Sequence, residues 1–129
     1  MNKINDLMLE MINFDAGEPA LIQHLIKVYE FARLIGSMED IAPHDMEALE
    51  AAALVHDIGI RVCMGKYGKC NGKLQEQEGP AYAEELLNKL GFKQEIIDRV
   101  SYLVAHHHTY SDINGIDYQI SKIQASGIQ

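Results

Sequence analysis

The sequence predicts an all-α domain, a compact bundle of about five to six helices. Apolar residues recur at helical spacing along most of the 129 residues, and no segment shows the alternation of a half-buried strand. Hydrophobic residues make up 47% of the chain, enough to bury a core. With no repeat and no Pro- or Ser-rich linker, we expect one domain over residues 1–129.

Apolar stripes predict the first two helices. The second follows Pro19, whose fixed φ suits a first turn, and runs from about Ala20 to Leu34 before ending near Gly36. Its apolar positions are Leu21, Leu25, Val28, Phe31, Ala32 and Ile35. The first helix is short and amphipathic, on Ile4, Leu7, Met8 and Met11. The exposed part of its apolar face is a candidate homodimer surface, formed by Leu7, Met8 and Met11.

Pro43 opens a third helix that is predicted to be central and buried. Alanines are dense between Met46 and Val55, and small residues let neighbouring helices approach closely. We expect this helix to end at Ile58-Gly59, where glycine can adopt the left-handed conformation.

The second half of the chain contains an irregular segment and two further helices. Residues 61–73 are predicted to be a loop, since three glycines and an asparagine interrupt any helical pattern. A helix restarts near Glu78-Gly79-Pro80 and stops at Gly91, and another runs from about Gln94 to His107.

The charge of the chain excludes two classes of partner. Eleven Lys and Arg residues against nineteen Asp and Glu give a formal net charge of −8. This charge repels phosphate backbones and anionic lipids, so neither a nucleic-acid polymer nor a membrane is expected as partner. With no long apolar run and no secretory leader, we expect a cytoplasmic protein. Cys63 and Cys70 are interpreted as thiols, not as a disulfide framework or a metal pair.

Three of the six histidines are predicted to face the core from separate helices. His24, His56 and His107 each fall in register with the apolar stripe of their helix, and Asp57 follows His56. For a lone buried histidine, the simpler interpretation is a hydrogen bond to a backbone carbonyl group. Three of them beside a carboxylate favour a metal site, because buried imidazoles need partners. Mixed nitrogen and oxygen donors suit Fe, Mn, Ni, Co or Zn.

The segment Val55-His56-Asp57-Ile58-Gly59 resembles the signature of the HD-domain superfamily of metal-dependent phosphohydrolases. His24 is similar to that family's first metal ligand. Gln77–Ala81 resembles the start of the family's next helix, and Val104–His108 resembles its downstream histidine motif. The resemblance covers roughly residues 20 to 120. It implies an HD-type helical bundle with metal ligands at His24, His56, Asp57 and His107.

The chain departs from the family's pattern in two places. Residues 75–78 are Gln and Glu where family members with two metal ions have another histidine. The site could therefore hold one ion or two. The family's final aspartate has no counterpart near residues 125–126. The last family helix is therefore expected to be missing or altered after residue 120, with Asp117 or Asp112 as the candidate replacement ligand.

The resemblance implies hydrolysis of a small phosphate ester, in particular a nucleotide, by metal-activated water. Asp57 would bind the ion and orient the water, while Glu78 or His107 would relay a proton. The alternatives are a degenerate HD module that binds metal or nucleotide without turnover, and a purely structural domain with core histidines.

A run of positive charge follows the expected ligands. Arg61, Lys66, Lys69 and Lys73 have no acidic residue among them. We interpret the run as a flexible loop that receives the phosphate group of the substrate, and an ordinary solvated loop is the alternative.

Overall fold

Six helices make up the part of the protein that the computed structural model describes, residues 3–69 and 71–106. They are α1 (Lys3–Phe14), α2 (Pro19–Met38), α3 (Pro43–Val55), α4 (Ile58–Tyr67), α5 (Gly72–Lys89) and α6 (Gln94–His106). No strand occurs within those ranges, which confirms the all-α prediction. None of these helices is both long and apolar enough to cross a membrane.

The alanine-rich helix α3 lies at the centre, as predicted. It packs against α1, α2 and α6, and seven of its 13 residues are buried. Gly36 is the point of closest approach between α2 and α3. A Cβ atom at Gly36 would lie 2.9 Å from Sδ of Met46 and 3.0 Å from Cδ2 of Leu49. Helix α2 continues two residues beyond Gly36, the end that we expected, to Met38. A side chain at position 36 would have to displace the ends of the Met46 and Leu49 side chains.

The basis for the homodimer expectation is wrong. Leu7 and Met11 are 0% and 2% exposed, and together with Ile4 they join the main core cluster of buried residues. The apolar face of α1 is thus covered by the protein's own helices, α3 among them. Leu7 and Met11 therefore offer no surface to a second copy and Met8 is only half-buried, so a homodimer stays a prediction.

The prediction of an irregular segment over residues 61–73 is also wrong for most of its length. Helix α4 continues to Tyr67 and ends at Gly68, which has a left-handed backbone with φ +69°. Burial of Ile58, Gly59 and Cys63 on the inner face of α4 offsets the cost of about 1 kcal/mol that a glycine such as Gly65 imposes on a helix.

The prediction that Gly59 ends a helix is wrong. Gly59 lies in the first turn of α4 and is not among the glycines with a left-handed backbone. Gly79 of α5 packs nearby, and a Cβ atom there would lie 3.3 Å from Cγ1 of Val104 and 3.8 Å from the Gly59 backbone nitrogen.

Helix α5 begins earlier than predicted, and it ends where predicted. The Asn71 side chain accepts a hydrogen bond of 2.9 Å from the backbone N–H of Leu74, which caps the helix start and leaves Pro80 inside it. Gly91, at φ +83°, follows its last turn. The Phe92 N–H then donates to the Leu87 carbonyl at 3.1 Å, in the pattern that commonly closes a helix at glycine.

Candidate metal centre

His56 and Asp57 occupy the break between α3 and α4. His56 ends α3 with φ −59° and ψ −31°, and Asp57 precedes α4 with φ −104° and ψ 15°. Asp57 thus lies in the sparsely populated bridge region of backbone space, where many active-site residues are found. Its side chain makes no capping hydrogen bond to α4 and contacts two imidazoles instead.

Helix α2 supplies the second imidazole. Nε2 of His24 lies 3.0 Å from Oδ2 of Asp57, and Nε2 of His56 lies 3.0 Å from the same oxygen. The two ring centroids are 5.3 Å apart. Two imidazoles that the sequence placed on the inward faces of separate helices, His24 and His56, therefore converge on the carboxylate of Asp57.

A backbone carbonyl fixes which nitrogen His56 presents. His56 is only 5% exposed, and its Nδ1 lies 2.7 Å from the carbonyl oxygen of Ala53. Since a carbonyl oxygen can only accept, Nδ1 carries the proton and donates it. Nε2 is then the nitrogen that faces Asp57, and it is the one available to a cation.

Two opposing effects act on the charge of His56. Burial lowers the pKa of the imidazole, but the Asp57 carboxylate and the hydrogen bonds to Asp57 and Ala53 outweigh it, so the pKa is raised above its ordinary value. The imidazolium donates from both nitrogens, one to each partner. A cation bound by Nε2 would take the place of the second proton.

The donor set suits a divalent transition metal. The ligand atoms of His24, His56 and Asp57 all lie within 4.8 Å of one another. Nitrogen and carboxylate ligands bind such ions at about 2.0–2.2 Å, so one ion can contact all three atoms with little side-chain movement. Three protein ligands also leave coordination positions for water or substrate, as in catalytic rather than structural sites. The chemistry of the site does not select one metal.

Sequence analysis missed one charged residue next to the centre. Asp15 lies in the turn between α1 and α2 and is only 7% exposed. Desolvation raises the pKa of its carboxyl group, Arg61 lowers it, and Asp57 raises it. Arg61 also donates to the carbonyl oxygen of Ala16 at 3.3 Å. The turn is thus tied to α4 one helical turn beyond Asp57. No periodic pattern marks a buried acid in a turn, and its position directly after an apolar helix is the one available signal.

Glu78 is engaged by two side chains of α4. Its Oε1 accepts from Nζ of Lys66 at 2.7 Å, and its Oε2 accepts from the hydroxyl of Tyr67 at 2.8 Å. The hydrogen bonds from Lys66 and Tyr67 lower the pKa of Glu78. This lowered pKa suits a carboxylate that stays ionised at neutral pH and is ill suited to a proton donor. The role of Glu78 as a proton relay stays a prediction.

The four predicted phosphate-binding cations occupy different places. Arg61 and Lys66 are on α4, Lys69 is exposed after it, and Lys73 is exposed in the first turn of α5. They do not form one flexible loop, since α4 includes the first two. His107, like the candidate ligands Asp112 and Asp117, lies outside the described residues, as does Cys70. Cys63 is buried on α4.

Comparison with known proteins identifies a family. A family model described as HD domain matches residues 21–126. The match includes His24, the His56-Asp57 pair and the helices that position them. No curated protein and no solved structure matches the chain significantly.

Proposed function

Because the chain belongs to the HD-domain family, which the family match over most of its length shows, we propose that it is a metal-dependent phosphohydrolase. Its substrate is a small phosphate ester, with nucleotides as the first class to test. The observation that carries the proposal is the contact of two imidazole Nε2 atoms with one carboxylate oxygen of Asp57, each at 3.0 Å.

His24, His56 and Asp57 would hold the ion. A divalent cation there supplies Lewis-acid polarisation of a phosphoryl oxygen and lowers the pKa of a water molecule that it binds toward ~7. Asp57 would also orient the water molecule that the ion binds. Ala53 holds His56 in the required tautomer. His107 is proposed as a fourth ligand or proton relay.

Positive charge near the centre offsets the overall negative charge of the protein. Arg61 is one helical turn from Asp57 on α4, so its guanidinium is the proposed direct contact for the phosphate group. Lys69 and Lys73 are proposed to attract the anionic substrate over a longer distance. Lys66 belongs to the same proposed surface, although Glu78 offsets its charge.

A phosphatase screen with added Mn²⁺, Fe²⁺, Co²⁺, Ni²⁺ or Zn²⁺ tests the proposal. The wild-type protein should release phosphate from at least one small ester, including the nucleoside monophosphates. Asp57→Ala should abolish this release. Asp98→Ala is the matched control, because Asp98 is an exposed acid on α6 that accepts a bond from Gln94.

Three results would separate the alternatives. Metal binding without turnover of any ester would favour a binding module that lacks catalysis. Turnover that survives Asp57→Ala would contradict the proposed site. If the protein binds no ion, the remaining interpretation is a structural domain with core histidines.

A further inference from the structure

A groove lies beside the metal centre, between the start of α2 and α4. Its volume is about 590 Å³, which is within the usual range for a small-molecule site. The side chains and backbone that line it are Glu18, Ala20, Leu21, Ile60, Arg61, Met64 and Gly65.

Two helical turns connect the groove to the metal centre. On α2, Leu21 precedes His24 by three residues, so the two side chains lie on the same face of the helix. Arg61 lies in the first turns of α4, four residues after Asp57, which immediately precedes that helix, and Arg61 also lines the groove. A molecule whose phosphate group lies between the centre and Arg61 therefore has its remaining part directed along this groove.

The chemistry of the lining is mostly apolar. Leu21, Ile60 and Met64 provide aliphatic and thioether surface, and Met64 is 52% exposed. Gly65 has nothing within 4 Å of the position that a Cβ atom would occupy, so the groove is open there. Among the described residues that line the groove, Arg61 is the one cation and Glu18 the one acid. With one cation and one acid, the lining suits a substrate that has one phosphate group and an otherwise uncharged body better than it suits a polyphosphate chain.

Given the proposed function, we propose that this groove binds the leaving group of the substrate, and that the leaving group is apolar or aromatic. The phosphoryl group lies toward Asp57 and Arg61, and a planar ring or short aliphatic group packs on Leu21, Ile60 and Met64. The groove thereby selects esters by the apolar area of the leaving group, since burial of that area supplies binding free energy.

Non-hydrolysable phosphonates test the groove without requiring turnover. In the presence of Mn²⁺, isothermal titration should show that 1-naphthylmethylphosphonate binds at least about tenfold more tightly than methylphosphonate, because the ring buries apolar area. Gly65→Phe should reduce this preference to less than about twofold, because its ring would compete with the naphthyl ring for the volume of the groove. Gly65→Ala is the matched control and should keep the preference, since a methyl group leaves most of the volume open.

A second pair of variants guards against misfolding of Gly65→Phe. Met64→Gln conserves size and should weaken naphthylmethylphosphonate binding several-fold. Met38→Gln changes an exposed methionine at the far end of α2 and should have no effect. Equal affinity of the two phosphonates for the wild-type protein, or binding of neither, would overturn the proposal, as would an unchanged preference in both Gly65→Phe and Met64→Gln.

The same experiments separate failure of the groove from failure of the proposed function. If no ester is hydrolysed but the phosphonate preference is present and sensitive to Gly65→Phe, the proposed leaving-group site holds and the proposed phosphohydrolase activity fails. If 1-naphthyl phosphate and methyl phosphate are hydrolysed with equal KM in both wild type and Gly65→Phe, the proposed phosphohydrolase activity holds and the proposed leaving-group site fails.

Discussion

Nδ1 of His56 lies 2.7 Å from the carbonyl oxygen of Ala53, one turn earlier on α3. This bond fixes the tautomer of a buried imidazole and directs its other nitrogen at Asp57. The proton on Nε2 and a metal ion then compete for the same lone pair. The pH dependence of stability follows from this competition.

The metal-free and metal-bound proteins should respond to pH in opposite ways. The pKa of His56 is raised in the folded state, so its contribution to stability is fully present below the unfolded value of about 6.5 and is lost as pH rises through the folded value. The EDTA-treated protein should therefore lose this contribution as pH rises above about 6.5. The increase in Tm caused by Mn²⁺ should grow over the same interval, because the ion binds the deprotonated nitrogen.

Thermal denaturation followed by circular dichroism, with and without Mn²⁺ from about pH 5.5 to about pH 8, measures both trends. The His56→Ala variant is the control and should show neither trend. A Tm increase that is constant with pH, or largest in acid, would contradict the assignment of His56 as a ligand through Nε2.

Asp15 and Arg61 should be energetically coupled. Asp15 is a buried acid whose pKa is raised by desolvation and lowered by Arg61, so removal of the cation leaves a buried carboxylate without that compensation. Arg61→Met should destabilise the protein near pH 7. The loss should be smaller in the Asp15→Asn background, with a coupling of about 0.5–3 kcal/mol. Urea denaturation of the four proteins gives this coupling, and strictly additive losses would show that the two side chains do not interact.

The two lysines closest in sequence to the end of α4 should contribute unequally to phosphate binding. Both lysines are exposed, but the ammonium group of Lys66 is 2.7 Å from Oε1 of Glu78, which offsets its charge, whereas Lys69 forms no ion pair with a described residue. Lys69→Gln should weaken the binding of inorganic phosphate several-fold at low ionic strength, and the effect should fade at about 1 M salt. Lys66→Gln should change it by less than about twofold. Isothermal titration at the two salt concentrations measures both, and equal effects of the two substitutions would contradict the pairing.

Two glycines should differ in their tolerance of a side chain. Gly36→Val should destabilise the protein by about 1–3 kcal/mol, because a Cβ atom there would meet Met46 and Leu49 within 3.0 Å. Gly65→Ala should stabilise it by about 0.5–1 kcal/mol, since Gly65 is exposed in a helix with open space around it. Chemical denaturation compares the two, and a Gly36→Val variant as stable as Gly65→Ala would contradict the close packing of α2 and α3.

Periodicity predicted that the imidazoles of His24 and His56 face the interior of the bundle. His24 shares its helix with the buried residues Leu25 and Val28, and His56 follows the most buried stretch of α3, so both imidazoles had to face inward. Asp57 was predicted because it is adjacent to His56. The end of α3 was predicted at Ile58-Gly59, but the helix ends earlier, at Val55, because the break depends on the bridge-region backbone of Asp57 and not on a glycine.

Tertiary packing decided the features that sequence analysis missed. Glycines at 65 and 68 favour a loop locally, but burial of the inner face of α4 maintains a helix as far as Tyr67. In the sequence, the apolar face of α1 resembles a docking surface. In the structure, Leu7 and Met11 of that face lie in the core. The burial of Asp15 was missed because a charged residue in a turn is ordinarily solvated, and its position directly after α1 is a weak signal.

The most direct test of the account is an anomalous diffraction measurement on crystals grown with Mn²⁺. The account predicts one anomalous peak within about 2.0–2.3 Å of Nε2 of His24, Nε2 of His56 and a carboxylate oxygen of Asp57. A peak bound elsewhere, or imidazoles that face away from the ion, would contradict the metal centre and, with it, the phosphohydrolase.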